Sequence, residues 1–402
     1  MTNAMNKPEI LFLAHRIPYP PNKGDKIRSW QLFSHLTKRF RVHLACFVDN
    51  KDDFEYVEFL QDKCESSFFC PLNPKLAKLK SVANLVGTEP LSFRYYNNAN
   101  MIAAVNEMRS KPLALEVAFS STMAPYIASA KPDRKRVIDF CDADSEKWLQ
   151  YAQAASPPIS WIYNREGKSL ARAEAAIASW ADHSFAVTPE EASLLNRNAT
   201  KRHVDWFSNG VDTEFFNPSA FNGDPNKISD VLFVGAMDYQ ANIEGVLDFC
   251  THVWPLVRYA APTAKFTIVG SNPVASIQAL HNKNGITVTG RVDDVRPWLA
   301  DAKVVIAPLR VARGIQNKVL EAMAMAKPVV ASAHAMTGIN APADAAIIAD
   351  GFKEMSEQIL KLLANSEQRQ AIGAHAQRFV QECKSWKAGL SRFDDALTKL
   401  GL

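Results

Sequence analysis

Short runs of β-branched and aromatic residues alternate with longer helical patterns from one end of this 402-residue chain to the other. That alternation is the signature of βαβ units, in which parallel strands lie buried between layers of helix. In the first half the strand candidates are ILFLA from Ile10, RVHLACFV from Arg41, LEVAF from Leu115, RVIDF from Arg136 and HSFAV from His183. In the second they lie near Val231 to Val234, Lys265 to Val269, Ile286 to Thr289, Val304 to Ala307, Val329 to Ala331 and Ala346 to Ala349. A single core stops growing near ~250 residues, so the chain should divide. The stretch from Ser208 to Asp230, dense in the turn formers Asn, Asp, Gly and Pro, marks the division. The sequence thus predicts an α/β protein of two Rossmann-like domains, 1–207 and 208–379, facing across a cleft. A helical tail over about 380–402, with Phe379 just before it and Trp386, Leu390 and Phe393 in it as buried candidates, is free to pack back on the first domain. Ligands of such folds bind outside the carboxyl ends of the strands, so residues directly after strands carry the chemistry.

Composition removes several function classes. With 47% apolar and 22% charged residues the chain is ordinary for a soluble globular protein. Its 46 basic and 42 acidic side chains leave a formal charge of +4, far from the footprint of a nucleic-acid binder, and no nucleic-acid partner is expected. The six cysteines show neither a Cys-x-x-Cys pair nor zinc spacing, which suits free thiols in a reducing compartment. MTNAMNKPEI lacks the pattern of a signal peptide, and no run of ~18 apolar residues could span a bilayer. A cytoplasmic location is the expectation.

The segment after the strand KVVIAP is the richest in chemistry. Leu309 to Arg313 form a short loop, and GIQNKVLEAMAMA is an unbroken run of helix formers closed by Lys327-Pro328. A helix amino terminus offers unpaired N–H groups and a partial positive charge, a natural seat for phosphate, and Gly314 would let a diphosphate approach the backbone. Spacings of four and three put Gly314, Lys318 and Glu321 on one helix face, with Ile315, Val319 and Ala322 on the other. The first face pairs an ammonium for phosphate with a carboxylate that can accept two ribose hydroxyls. Arg310 and Arg313 add charge at the same end. An ordinary amphipathic helix, with a lysine–glutamate pair worth ~0.3 kcal/mol, has the same spacing, so spacing alone leaves both readings open.

The amino-terminal half offers two further candidate regions. His15 follows the first strand in HRIPYPPNKGDKIRSWQLF, where three prolines stiffen a loop before Lys23, Gly24, Asp25, Lys26 and Arg28 open a helix. In RVIDFCDADSEKWLQYA, Asp142 and Asp144 sit between a strand and a helix; Asp144 or Ser145 can serve as a plain N-cap, which leaves other carboxylates free to handle a proton. Thr188-Pro189-Glu190-Glu191 reads as a capping box. Glu166 and Glu174, eight apart on one helix, read as part of a solvated face.

The segment GIQNKVLEAMAMAKPVVAS, together with the earlier NGVD, resembles the donor-binding signature of glycosyltransferase family 4, whose fold is GT-B. In that family a helix reading Gly-x-x-x-Lys-x-x-Glu-Ala-x-Ala-x-x-x-Pro-Val-Val holds the nucleotide diphosphate and ribose. The matching positions are Gly314, Lys318, Glu321, Ala322, Ala324, Pro328, Val329 and Val330. Many members carry a second glutamate eight positions before the ribose glutamate, where this chain has Arg313. Many also place an arginine and a lysine in the loop that here reads FVGAMDYQANIEG, with Gly235 after the strand and Ala236, Met237, Gln240 and Asn242 following. The cations of a diphosphate clamp would then be Arg310, Arg313 and above all Lys318. The loop HRIPYPPNKGDKIRS resembles that of bacterial exopolysaccharide sugar transferases, which implies that Gly24 covers the donor phosphates and that Lys23, Asp25 and Arg28 face the acceptor.

The resemblance implies transfer of a sugar from a nucleoside diphosphate sugar to a glycan or polyprenyl-linked glycan, with retention of configuration. The acceptor proton would leave to Asp142, Asp144 or the donor phosphate, with His15 as a further catalytic candidate. Asp142-x-Asp144 is similar to the metal motif of the other large transferase fold, but its place on the chain and the lack of a nearby histidine point to no required metal and no cofactor beyond the co-substrate. Two alternatives stay open: a sugar-nucleotide epimerase of the same fold, and a nucleotide-sugar-binding protein without turnover. Finally, LNPKLAKLKSVANLVG, over 72–87, can form a basic amphipathic helix for peripheral contact with the inner face of the membrane, although core packing explains its leucines equally well.

Overall fold

The computed structural model describes residues 7–402 except 22, 83, 84, 86, 132, 198–202, 222–228, 311–314 and the side chain of 154. The chain forms two compact units, Met1–Asn209 with Gly389–Leu402, and Gly210–Ala388.

The first unit is built on seven strands: β1 Glu9–Ala14, β2 Arg41–Val48, β3 Ser66–Pro71, β4 Leu113–Phe119, β5 Lys135–Cys141, β6 His183–Ala186 and β7 Val204–Trp206. They pair in the order β3-β2-β1-β4-β5-β6-β7, all parallel. The second carries β8 Val231–Val234, β9 Phe266–Val269, β10 Ile286–Gly290, β11 Val304–Ala307, β12 Val329–Ala331 and β13 Ile347–Ile348, paired in parallel as β10-β9-β8-β11-β12-β13. Strands such as Ile10–Ala14 and Val231–Val234 are buried on both faces, which is why they read as continuous apolar runs. β3 and β7 were not expected from the sequence: SSFFCP opens on polar residues and VDW is only three residues long. In each sheet the strand order reverses once, between β1 and β4 and between β8 and β11. Those are the switch points where a loop can turn to either side and leave a crevice.

The closing helix Trp386–Lys399 belongs to the first unit from Gly389 onward, and there it contributes Phe393, whose ring lies 5.3 Å from that of Phe185 and 6.0 Å from that of Phe207. Trp386, Leu390 and Phe393 are all buried, while Phe379 is only half-buried.

Carboxylates expected in solvent are buried instead. Glu166 and Glu174 are 1% and 3% exposed. Glu166 accepts hydrogen bonds from the Leu91 and Ser92 backbone N–H groups at 2.7 and 2.9 Å, capping the helix Leu91–Tyr95 from outside it. Glu174 accepts from Ser145 N at 3.2 Å and Ser145 Oγ at 2.5 Å, and Glu191 from Ala143 N at 2.7 Å. The helix Asp144–Ala154 is thus capped by carboxylates from other helices, with Ala143 in the N-cap position. Thr188 Oγ1 does cap Glu191 N at 3.2 Å, but Glu191 turns to Ala143 and leaves the box unclosed. Burial pushes the Glu174 carboxyl up to about 8, against the hydrogen bonds from Ser145.

Candidate functional site

At the β8–β11 switch point the second unit gathers a small polar cluster. The helix that carries Lys318 and Glu321 begins at Asn317 and runs to Ala324, with Val319 and Ala322 buried beneath it. It starts later than expected: Ile315 and Gln316 precede it, and Gly314 and Arg313 lie outside the described residues. Gln316 supplies no side-chain cap, so the helix N–H groups at this end carry no side-chain partner from that position.

Lys318 reaches from this helix to Asn242 Oδ1, and Asn242 Nδ2 donates to Ala236 O at 2.8 Å. Asn242 is only 4% exposed, so the lysine has a fixed anchor. The ammonium also stands 4.9 Å from the centre of the Phe233 ring. Gly235 completes the cluster: a Cβ there would stand 2.8 Å from Asn242 Nδ2 and 3.1 Å from Lys318 Nζ. Gly270, after β9, is tighter still, since its Cβ would meet Gly235 O at 1.7 Å. Gly235 and Gly270 thus let two loops close over one another, and they line a hollow of about 290 Å³ with Ser271 and Arg291.

Burial works on both charges of the helix. Desolvation pulls Lys318 down to about 8, opposed by Glu321, and pushes Glu321 up to about 7, opposed by Lys318. Each charge is thus desolvated with the other as its opposing charge, and a diphosphate and a ribose would add a partner to each. Nucleotide-sugar affinity is therefore expected to peak between about pH 7 and 8. Below 7 Glu321 takes a proton and loses acceptor capacity; above 8 Lys318 loses the proton that attracts phosphate. Titration calorimetry with an intact nucleotide sugar, whose diphosphate does not itself titrate there, checks this. Glu321→Gln should abolish the acid limb and keep the alkaline one, and a flat profile from pH 6 to 9 would reject the assignment.

Arg310 is engaged elsewhere. Its Nε lies 2.5 Å from Asp248 Oδ2, its guanidinium 5.6 Å from the Phe352 ring, and it edges a separate cavity of about 490 Å³ floored by Phe249, Val253 and Met355. Asn242, passed over in sequence as the mere absence of a clamp cation, takes a central place instead. The signal for it was only its position after β8.

In the first unit His15 leaves β1 at the other switch point. Its ring stacks on Phe119 at 5.7 Å and meets the edge of Tyr96 at 5.7 Å. Nε2 lies 3.4 Å from Asp25 Oδ2, while Nδ1 is buried with no hydrogen-bond partner among the described residues. Asp25 is held in turn by Arg16 at 2.5 Å, and Arg16 by Asp49 at 2.9 Å. Burial alone would raise the Asp25 carboxyl, but His15 and Arg16 hold it well below the usual carboxylate range. The sequence motif therefore splits. Lys23 and Gly24 are exposed at the start of the helix Gly24–Arg39, and a Cβ on Gly24 would meet nothing within 4 Å.

Lys26 and Arg28 point inward. Lys26 pairs with Asp53 at 2.8 Å, both buried. Arg28, expected to face an acceptor, is 0% exposed. Its Nε and Nη2 bind Asp139 at 2.9 and 3.1 Å, its Nη1 donates to Phe207 O and Asn209 Oδ1 at 2.9 Å each, and its plane lies 3.7 Å from the Phe207 ring. With its donors satisfied inside the unit, Arg28 fastens β5 to the segment after β7. The acceptor-side assignment is corrected accordingly.

Asp142 is exposed and Asp144 half-buried, and neither carboxylate accepts a hydrogen bond among the described residues. The buried carboxylates that cap their helix leave them free. Desolvation raises the Asp144 carboxyl, with Lys147 opposing. Just before them Cys141 holds φ at 66°, and Ser120, after β4, holds φ at 79°; such backbone is costly for a side-chain-bearing residue and gathers at functional loops.

Residues 229–365 match the family model described as glycosyl transferases group 1. Among solved structures, sucrose-phosphate synthase from Thermosynechococcus elongatus superposes with a TM-score of 0.64 at 16% identity, covering 98% of this chain and 99% of that one. The chain is a glycosyltransferase of the GT-B fold. HepE from Anabaena, solved with UDP, superposes on the transferase at 0.62 and 14% identity over 97% of this chain and 100% of its own. A TarM variant from S. aureus, bound to fondaparinux, α-GlcNAc-glycerol and UDP, gives 0.59 and 12% over 97% and 99%. No curated protein sequence matches the transferase significantly. At such identities the structural likeness speaks for the fold, and the matched family model for the activity.

Proposed function

We propose that the transferase takes its sugar from a nucleoside diphosphate sugar and places it, with retention of configuration, on a hydroxyl of a glycan or polyprenyl-linked glycan in bacterial exopolysaccharide synthesis. The single observation that carries this is the desolvated Lys318–Glu321 pair on a helix at the β8–β11 switch point, anchored by Asn242 beside Gly235. The ammonium supplies charge for the leaving diphosphate and Glu321 two acceptor oxygens for the ribose. The hollow beside Gly235 and Gly270 is of a size to receive part of the nucleotide. That HepE was solved with UDP and UDP-glucose, and TarM with UDP and a glycan, supports the reading of both substrates.

Catalysis rests on positioning and on stabilising the departing diphosphate, without a resident metal. Asp144, whose carboxyl burial makes more basic, and Asp142 are the acceptor-side bases, and His15, braced by Asp25, is the alternative proton carrier. The enzyme works in the cytoplasm, at the inner face of the membrane when its acceptor is lipid-linked; no described helix is long and apolar enough to cross a bilayer.

Incubation of the protein with radiolabelled nucleotide sugars, with and without glycan and polyprenyl-linked acceptors, tests the reading. Label is expected in the acceptor, with the anomeric configuration kept. Epimerisation of donor alone would replace transfer by the epimerase reading, and binding without turnover across the panel would leave only a nucleotide-sugar-binding protein.

A further inference from the structure

The helix Pro74–Val82 is amphipathic in the opposite sense from a packed helix. Ala77 and Ser81 are its buried residues, while Leu76, Leu79 and Val82 are 56%, 69% and 41% exposed. The core-packing explanation of these leucines therefore fails. Lys75, Lys78 and Lys80 are exposed along the same outward face, on a helix that has no carboxylate.

A second helix continues the pattern. Ile159–Trp180 buries Glu166, Gly167, Leu170 and Glu174. Positions 161, 165, 168 and 172 form its opposite stripe by helical spacing. There Trp161 is 59% exposed, and Lys168 and Arg172 are exposed as well. Arg165, within the stripe, clamps the chain that leaves the first helix: its Nε donates to Leu85 O at 3.1 Å and its Nη2 to Glu89 O at 3.0 Å and to Gly87 O. The two basic, apolar faces are tied together through that connection.

We propose that these two helices form one docking surface for an anionic lipid bilayer. Leucine and valine side chains would enter the acyl boundary, Trp161 would sit at headgroup level, and five cations, Lys75, Lys78, Lys80, Lys168 and Arg172, would meet the lipid phosphates. Charge decides between occupants: a second copy of the same chain would set this basic face against itself, whereas an anionic membrane complements it. The surface extends the segment singled out in sequence to a second helix far along the chain. Its purpose, access to a lipid-linked acceptor, rests on the proposed function; the binding itself does not.

Co-sedimentation with vesicles of phosphatidylcholine alone, or with 30% phosphatidylglycerol added, tests it. The full-length protein is expected to partition on the order of a thousandfold more strongly onto the anionic vesicles, with loss at high salt. One basic residue near the surface contributes about fivefold, so a Lys75→Gln, Lys78→Gln, Lys80→Gln triple variant should lose roughly a hundredfold. Leu79→Glu and Trp161→Glu, each at an exposed site that should leave thermal unfolding unchanged, should lose tenfold or more. Equal binding to both vesicle types, or variants that bind like wild type, would overturn the proposal, as would a Leu79→Glu change in oligomeric mass with unchanged vesicle binding. The donor-induced thermal shift, measured in parallel without vesicles, should be the same in all variants, so that loss of the surface and loss of the transferase reading remain separate results.

Discussion

Replacing Lys318 with methionine is expected to cost the transferase roughly a hundred- to a thousandfold in kcat/KM while leaving its fold at least as stable. The ammonium is desolvated far enough to fall to about 8, its hydrogen-bond partner among the described residues is the neutral Asn242, and the charge of Glu321 supports it. A methionine of similar length removes that strain. What disappears is a preorganised cation where negative charge develops on the leaving diphosphate, a contribution typically worth about 2.7–4 kcal/mol. The loss should fall on kcat as well as KM, because the charge on the diphosphate grows in the transition state. Asn242→Ala should show a milder form of the same defect, since it frees the lysine without removing it. Steady-state kinetics on the donor check both, and a Lys318→Met enzyme within threefold of wild type would refute the role.

The second large effect concerns stability. Arg28→Met would strand the Asp139 carboxylate, 0% exposed and bonded at both oxygens to the guanidinium, in the middle of the first unit. Breaking one half of a buried pair costs about 3–5 kcal/mol, mostly through the charge left behind. For a unit of this size each kcal/mol moves Tm by about 2–4 °C, so a fall on the order of 10 °C is expected in calorimetry. Arg28→Met combined with Asp139→Leu should recover much of it, because an apolar pair of similar volume avoids the desolvation of both ions. A residue that served only to contact an acceptor would show neither the fall nor the recovery.

Much of the fold was legible because doubly buried parallel strands are written as apolar runs. Ile10 to Ala14 and Val304 to Ala307 could hardly be read otherwise. β3 and β7 escaped because partial burial and shortness remove that signal. At the site, the three-residue step from Lys318 to Glu321 was visible because helix geometry is local. Asn242 was not, since its bond to Lys318 spans 76 positions and follows from the order of strands. Glu174 and Arg28 illustrate the converse. Charged residues on a helix read as solvated by default, and only the partners, a helix amino terminus for Glu174 and Asp139 for Arg28, make their burial affordable. The Pro74–Val82 helix shows the same limit, for periodicity reveals two faces but not which of them meets the protein.

The central claim is that Lys318 and Glu321 hold a nucleoside diphosphate sugar, and a thermal-shift screen of the wild type and Glu321→Ala against nucleotide sugars tests it most directly. A donor at ~100 times its dissociation constant stabilises the folded state by about 2.7 kcal/mol. The wild type should show that shift with at least one nucleotide sugar, and Glu321→Ala should lose most of it at the same concentration. A Glu321→Ala protein that kept the full shift, or a wild type that responded to no nucleotide sugar, would contradict the account.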